Sequence, residues 1–235
     1  MTISSDEAKR RAGEKAVEYI SDEMVVGLGT GSTVYYFLLK LGERCRQGLQ
    51  VVGVPTSVAT ERIAREQGIP LADSWSAVDI VVDGADEIDP RLNLIKGMGG
   101  ALVREKIVAQ AAGRMRVVGD ESKVVKRLGT NFPLPVEVIP FGWEATAVQI
   151  RQLGLGPVLR RQGNEPVRTD NGNYLLECHT GPIENPEELA RSLEGIAGVV
   201  GHGLFLGLAT TAIIGSDQGT RILQITPDKD EAPRM

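Results

Sequence analysis

The chain has few of the residues from which many active sites are built. It has two cysteines, Cys45 and Cys178, and no CxxC pair in 235 residues. That excludes a disulfide framework and fits a reducing compartment, so a cytoplasmic protein is expected. Two histidines, His179 and His202, leave little material for a histidine metal site or a Ser-His-Asp triad. No stretch approaches 18 uninterrupted apolar residues, and the charged start at Asp6-Glu7 lacks an apolar run. Neither a membrane span nor a signal peptide is therefore expected. No Gly-Lys pair occurs anywhere, which excludes a Walker loop. There is no basic excess either. A net charge of −5 and a pI near 5.2 argue against nucleic acid or an anionic membrane as main partner. A local basic site for a phosphate remains open.

The 42% apolar content is enough for a sizeable core, and the length fits one large domain or two small ones. Ser4 and Glu7 form a capping box ahead of Ala8, Ala12, Ala16 and Ile20 at helical spacing. Strands at 24–28, 49–54, 78–82 and 115–118 then alternate with helices at 34–48, 57–67 and 101–112. The run 49–54 shows no polar alternation, as in a strand buried on both faces. Strand–helix alternation predicts a parallel sheet with helices on both faces. After Thr130 the pattern changes, with Pro133 and Pro135 marking a break. Strands at 136–139, 157–160, 174–178 and 199–204, with helices at 144–153 and 187–193, give a β-α-β-β-α-β order. The apolar runs 211–214 and 222–225 are expected to return to the first sheet, and the polar tail from Pro227 to be mobile.

Three segments carry the chemistry. Gly27-Leu28-Gly29-Thr30-Gly31-Ser32-Thr33 joins a strand to a helix, where free N–H groups and the helix dipole favour a phosphate. Ser32 stands where a dinucleotide fingerprint needs glycine, and no acidic residue ends the next strand. Asp83, Asp86, Glu87 and Asp89 follow a buried strand, at the carboxyl edge where α/β sheets bind ligands. Such carboxylates accept sugar hydroxyls, move protons or hold a metal, magnesium included, although no spacing here demands one. Lys96 precedes a second glycine-rich helix start, Gly97-Met98-Gly99-Gly100, and Lys123 follows a strand end. At about 100° per residue, Ala101, Val103, Ile107, Val108, Ala111 and Ala112 share one helix face. Arg104 falls inside that face and Glu105 at its edge, where a charge is costly without a partner or a site. Lys106 and Gln110 point away as ordinary solvent contacts. Together the segments suit a phosphorylated, hydroxyl-rich small molecule and proton transfer on it.

The blocks GTGST at 29–33, DGADEID at 83–89, KGMGGALVREK at 96–106 and FPLPVEVIP at 132–140 resemble, in order, those of the type A ribose-5-phosphate isomerases. The resemblance covers nearly the whole chain. It implies a Rossmann-like α/β domain, residues 1–130 plus 205–235, with an inserted ferredoxin-like α+β domain, residues 131–204. It implies cofactor-free interconversion of D-ribose 5-phosphate and D-ribulose 5-phosphate, without a metal, by a homodimer or homotetramer. By position, Glu105 resembles the family's proton acceptor. Thr30, Gly31, Ser32, Thr33, Asp83, Gly84, Ala85, Asp86, Lys96, Gly97, Met98, Gly99 and Lys123 match its substrate-binding segments. Met98 replaces a glycine common in that loop. Lys96 or a protonated Asp86 would face an enediolate oxygen, and Asp83 would assist ring opening. A fold-related sugar-phosphate deaminase, an acyl-CoA transferase and a sugar-phosphate sensor are the competing readings; no basic helix-turn-helix supports the last.

Overall fold

The computed structural model describes residues 5–225, so Ser4 of the capping box and the tail from Pro227 lie outside the described residues. Helix α1 (Ser5–Ala16) continues as a short 3-10 turn, Val17–Tyr19. There follow β1 (Val25–Leu28), α2 (Ser32–Arg46), β2 (Val52–Pro55), α3 (Val58–Glu66), β3 (Ile80–Gly84), β4 (Glu87–Ile88) and β5 (Leu94–Ile95). Then come α4 (Leu102–Ala111), β6 (Met115–Asp120), β7 (Leu134–Val138), α5 (Trp143–Gln152), β8 (Gly156–Leu159), β9 (Arg161–Gln162) and β10 (Glu165–Pro166). The chain ends with β11 (Tyr174–His179), α6 (Pro186–Glu194), β12 (Val199–His202), β13 (Leu204–Phe205), β14 (Ala209–Ser216) and β15 (Gly219–Gln224).

The first sheet runs β15-β14-β6-β3-β1-β2 and is parallel except for β15, which forms a hairpin with β14. The expected return of the C-terminal strands to this sheet is therefore observed. Its central strand β3 shows why both faces must be covered. Ile80 and Val82 point into a core shared with α1, α2 and α3, through Ala12, Phe37, Leu41 and Ala64. Val81 points the other way, into a core with Val108 of α4, Met115 and Phe205. Each such fully buried aliphatic side chain contributes about 1.5–3 kcal/mol. At the opposite edge, β2 starts only at Val52, which is exposed. The expectation of a doubly buried strand over 49–54 is thus corrected: Val52 is exposed, and beyond β2 the described residues add only a single bridge, Gly53 to Leu71.

The second sheet is antiparallel, in the order β12-β7-β11-β8. Alternation along β7 decides what each face does. Leu134, Val136 and Val138 pack with Ala147 and Ile150 of α5 and Leu193 of α6. Pro135 and Glu137 therefore face the opposite side, toward α4 and the 97–100 loop. Pro135 lies inside this strand rather than marking a break. It lacks an N–H, but its carbonyl accepts from Gly203 N at 2.8 Å. The strand expected over 199–204 divides at Gly203. A side chain there would overlap the Lys96 carbonyl, and β13 turns away to pair with β5. A small sheet, β13-β5-β4, thereby ties the second sheet to the first.

Candidate active site

The parallel strands β1 and β3 both deliver their C-terminal ends to one cleft. Leu28 ends β1, and Gly29 N donates to Val82 O across the sheet at 2.9 Å. A Cβ at Gly29 would overlap the Asp83 carboxylate, so only glycine lets these two chains approach. Gly31, at φ +129°, then turns the chain into α2. Ser32 and Thr33 open that helix and line the cleft, where the first-turn N–H groups have no intrahelical acceptor. Thr30 lines the cleft as well. Its hydroxyl lies 2.8 Å from that of Thr56, 2.9 Å from Ser57 and 3.0 Å from Thr60. This hydroxyl cluster, which the sequence reading missed, fixes the loop to the start of α3.

The four acidic residues after β3 separate into two pairs. Asp83 is fully buried, and its Oδ1 accepts from Thr30 N at 3.0 Å and Gly84 N at 2.8 Å. Asp86 lines the cleft and accepts from Met98 N at 3.0 Å. Glu87 instead accepts from the backbone N–H groups of Gly129, Asn131 and Phe132. Asp89 accepts from those of Arg91 and Asn93. Both of these carboxylates are consumed in holding loops.

Lys96 is the centre of charge. It is 2% exposed, and its Nζ donates to Gly84 O at 2.6 Å and to Glu105 Oε1 at 3.1 Å. The same Nζ lies 3.0 Å from Asp83 Oδ2, at ion-pair distance but off the line of a hydrogen bond. Glu105 extends from the first turn of α4 and is 4% exposed. Its Oε1 is held by Lys96, while its buried Oε2 has no partner among the described residues; the residue lines the cleft. Burial pushes the Glu105 carboxyl up to about 8; Lys96 opposes the shift and Asp83 adds to it. Burial likewise raises Asp83 against the pull of Lys96. For Lys96, burial acts downward, but Asp83 and Glu105 together outweigh it and hold the ammonium protonated. Lys96 is therefore a fixed cation between Asp83 behind the cleft and Glu105 at its wall, and Glu105 is the carboxylate whose pKa burial moves toward the neutral range.

Gly84, Ala85, Gly97, Gly99 and Lys123 complete the lining, with Val118, which sequence reasoning did not single out. The Lys123 ammonium sits 4.7 Å from the Phe132 ring centroid. Met98 does not line the cleft: its N–H serves Asp86 and its carbonyl accepts from Arg160 Nη1 at 3.0 Å. The 101–112 helix also corrects two expectations. Ile107 is exposed, because α4 is covered by both sheets over an uneven arc. Lys106 is half-buried, donates to His202 O at 2.7 Å and lies 5.0 Å from the Phe205 ring. Burial lowers its pKa to about 8. Among the described residues no helix is long and apolar enough to cross a membrane.

Known proteins resemble this chain over nearly all of its length. Residues 52–219 match the family model for Ribose 5-phosphate isomerase A (phosphoriboisomerase A). A Ribose-5-phosphate isomerase A of Synechococcus sp. (strain JA-3-3Ab) is 48% identical over 226 residues, 94% of this chain and 98% of that protein. One from Nitrobacter hamburgensis is 50% identical over 231 residues, 94% and 99% of the two chains. Among solved structures, a D-ribose-5-phosphate isomerase in complex with phospho-erythronic acid superposes with a TM-score of 0.91. It is 40% identical and covers 95% of this chain and 100% of that one. The ribose 5-phosphate isomerase A of Methanocaldococcus jannaschii gives 0.90 at 38% identity, covering 94% and 100%. With its parallel sheet, its cleft and these relatives agreeing, the chain belongs to the ribose 5-phosphate isomerase A family.

Proposed function

We propose that Glu105 is the general base of an aldose–ketose isomerase acting through an enediolate. The overall reaction is that of the family, interconversion of D-ribose 5-phosphate and D-ribulose 5-phosphate. The observation that carries the proposal for Glu105 is its unpartnered, buried Oε2 on a residue that lines the cleft, beside an Oε1 fixed by Lys96. In the open-chain aldose, Glu105 takes the proton from C2. The C2–H electron pair forms the C1–C2 double bond, and the carbonyl pair moves onto O1. The O2 proton passes to O1, Glu105 returns its proton to C1, and O2 becomes the ketose carbonyl. Lys96 offsets the charge that this sequence develops within a desolvated site. Asp83 and Asp86 serve the sugar hydroxyls and ring opening. Ser32, Thr33 and Lys123 receive the phosphate, supported by the open first turn of α2. Remote binding of the phosphate then aligns the reacting carbons.

We further infer that residues 1–130 with 205–235 form the catalytic unit and 131–204 the inserted one. The grouping of β7, β8, β11 and β12 in one sheet supports this division. The free thiols of Cys45 and Cys178 support a cytoplasmic setting. The exposed Phe141 and Val200 support a homodimer or homotetramer. The test is a coupled assay of ribose 5-phosphate turnover, with EDTA and no added cofactor. Glu105, Lys96 and the two aspartates make a complete proton path, so activity persists. Activity lost in EDTA and restored by a divalent ion would overturn this mechanism.

A further inference from the structure

One exposed turn beside the second sheet reaches both α4 and α3. It runs from Thr169 to Asn173, between β10 and β11, with Gly172 at φ +81°. Its anchor is Glu137 of β7, which is fully buried. The Oε1 of Glu137 accepts from Thr169 Oγ1 at 2.9 Å, Asn171 Nδ2 at 3.1 Å and Asn173 Nδ2 at 2.8 Å. Three converging donors fix the turn more tightly than a surface loop of this length requires.

From this anchor the turn extends in two directions. Toward α4, Asn171 Oδ1 accepts from Arg104 Nε at 2.9 Å, and Asp170 O accepts from Arg104 Nη2 at 2.9 Å. The Asp170 carboxylate lies 3.7 Å from Arg104 Nη1. Arg104 immediately precedes Glu105. Toward α3, the same carboxylate accepts from Val58 N at 2.8 Å, at the first helical residue. A negative charge there is favoured by the helix dipole. The preceding residue, Ser57, is the N-cap that contacts Thr30.

We propose that Asp170 and Asn171 are positioning residues: they clamp the Glu105 helix to the Thr30–Thr33 loop and so set where the base stands relative to the bound phosphate. This rests on the reading of Glu105 as the base. Neither residue touches the cleft, so neither is catalytic. A base displaced by a fraction of an ångström loses rate while the phosphate contacts persist.

The test compares wild type, Asp170→Ala, Asp170→Asn and Arg104→Met for kcat, KM, the pH profile of kcat/KM, and thermal midpoint. Asp170→Ala and Arg104→Met are expected to lower kcat on the order of tenfold, with KM changed less than about threefold. The midpoint of the pH profile is expected to move in both. Asp170→Asn keeps an acceptor for Val58 N and should recover most of the rate. Unchanged kcat and pH midpoint in both disrupting variants, whether or not the thermal midpoint falls, would overturn the clamp. If the clamp alone fails, both disrupting variants isomerise ribose 5-phosphate as the wild type does, whereas failure of the functional reading shows as an inactive wild type or an active Glu105→Gln.

Discussion

Replacing Lys96 by methionine keeps the volume of a long side chain and removes the only cation between two buried carboxylates. In the wild type its ammonium stands 3.0 Å from Asp83 Oδ2 and 3.1 Å from Glu105 Oε1, with all three residues less than 5% exposed. Removing one partner of a buried ion pair costs roughly 3–5 kcal/mol, because the remaining charge is stranded. Here two charges are stranded, and they escape the penalty by binding protons. Burial already raises both carboxyl pKa values against the pull of Lys96, so the substitution raises them further. An acid whose folded pKa exceeds its unfolded one stabilises the fold below the unfolded value, and that contribution is lost as pH rises through the folded value. The destabilisation of Lys96→Met should therefore be small near pH 5 and grow to about 3–5 kcal/mol by pH 9. Urea denaturation followed by far-UV circular dichroism at pH 5, 7 and 9 measures it. Adding Glu105→Gln to Lys96→Met removes one stranded charge and should recover part of the loss at pH 9. A destabilisation below about 1 kcal/mol, equal at all three pH values, would refute the charge balance described for the site.

Two further outcomes follow from the same geometry. Because Glu105 must be ionised to accept a proton and its pKa is raised to about 8, kcat/KM should rise with pH and level off above about 8. A profile flat from pH 6 to 9 would contradict this. Thr33→Ala removes a hydroxyl at the open first turn of α2 and should raise KM for ribose 5-phosphate by about tenfold or more with kcat retained, since a hydrogen bond to a charged group is worth about 1.5–3 kcal/mol. Steady-state kinetics checks it, and an unchanged KM would place the phosphate elsewhere.

Much of the scaffold is legible in the chain because buried parallel strands and capped helices leave local signals. The run Ile80-Val81-Val82 ending at Asp83 identifies both a central strand and a ligand edge. The helix expected over 57–67 is found as α3, with Ser57 as its N-cap and Gly68 following in the left-handed region. The failures lie where tertiary context decides. Val52 looks like a doubly buried strand residue, but nothing in its own segment reveals that β2 is an edge. Lys106 has the helical phase of a solvent residue, yet the second sheet covers it. Within the site, the residues that touch the cleft, Val118 apart, could be read from motifs. The partners that hold them could not: Thr56, Ser57 and Thr60 around Thr30, Asp170 and Asn171 on Arg104, and Phe205 beside Lys96 are joined only by folding. Arg104, expected on the packing face, is partly exposed, because the buried face of α4 is formed by Leu102, Glu105, Val108 and Ala109. The buried Glu105 also shows that a carboxylate expected at a helix edge can be covered once two sheets meet over it.

The central claim is that Glu105 itself carries the proton between C2 and C1. Glu105→Gln keeps the shape and leaves an oxygen to accept from Lys96, but it cannot take the proton. The direct measurement is exchange of the substrate C2 hydrogen with deuterated water, followed by NMR on ribose 5-phosphate with wild type and Glu105→Gln side by side. The account predicts that exchange falls in parallel with kcat, by roughly 10²–10⁴-fold, with the circular dichroism spectrum unchanged. Exchange at the wild-type rate in Glu105→Gln would contradict it and assign the base to another residue of the cleft, Asp86 or Asp83 first.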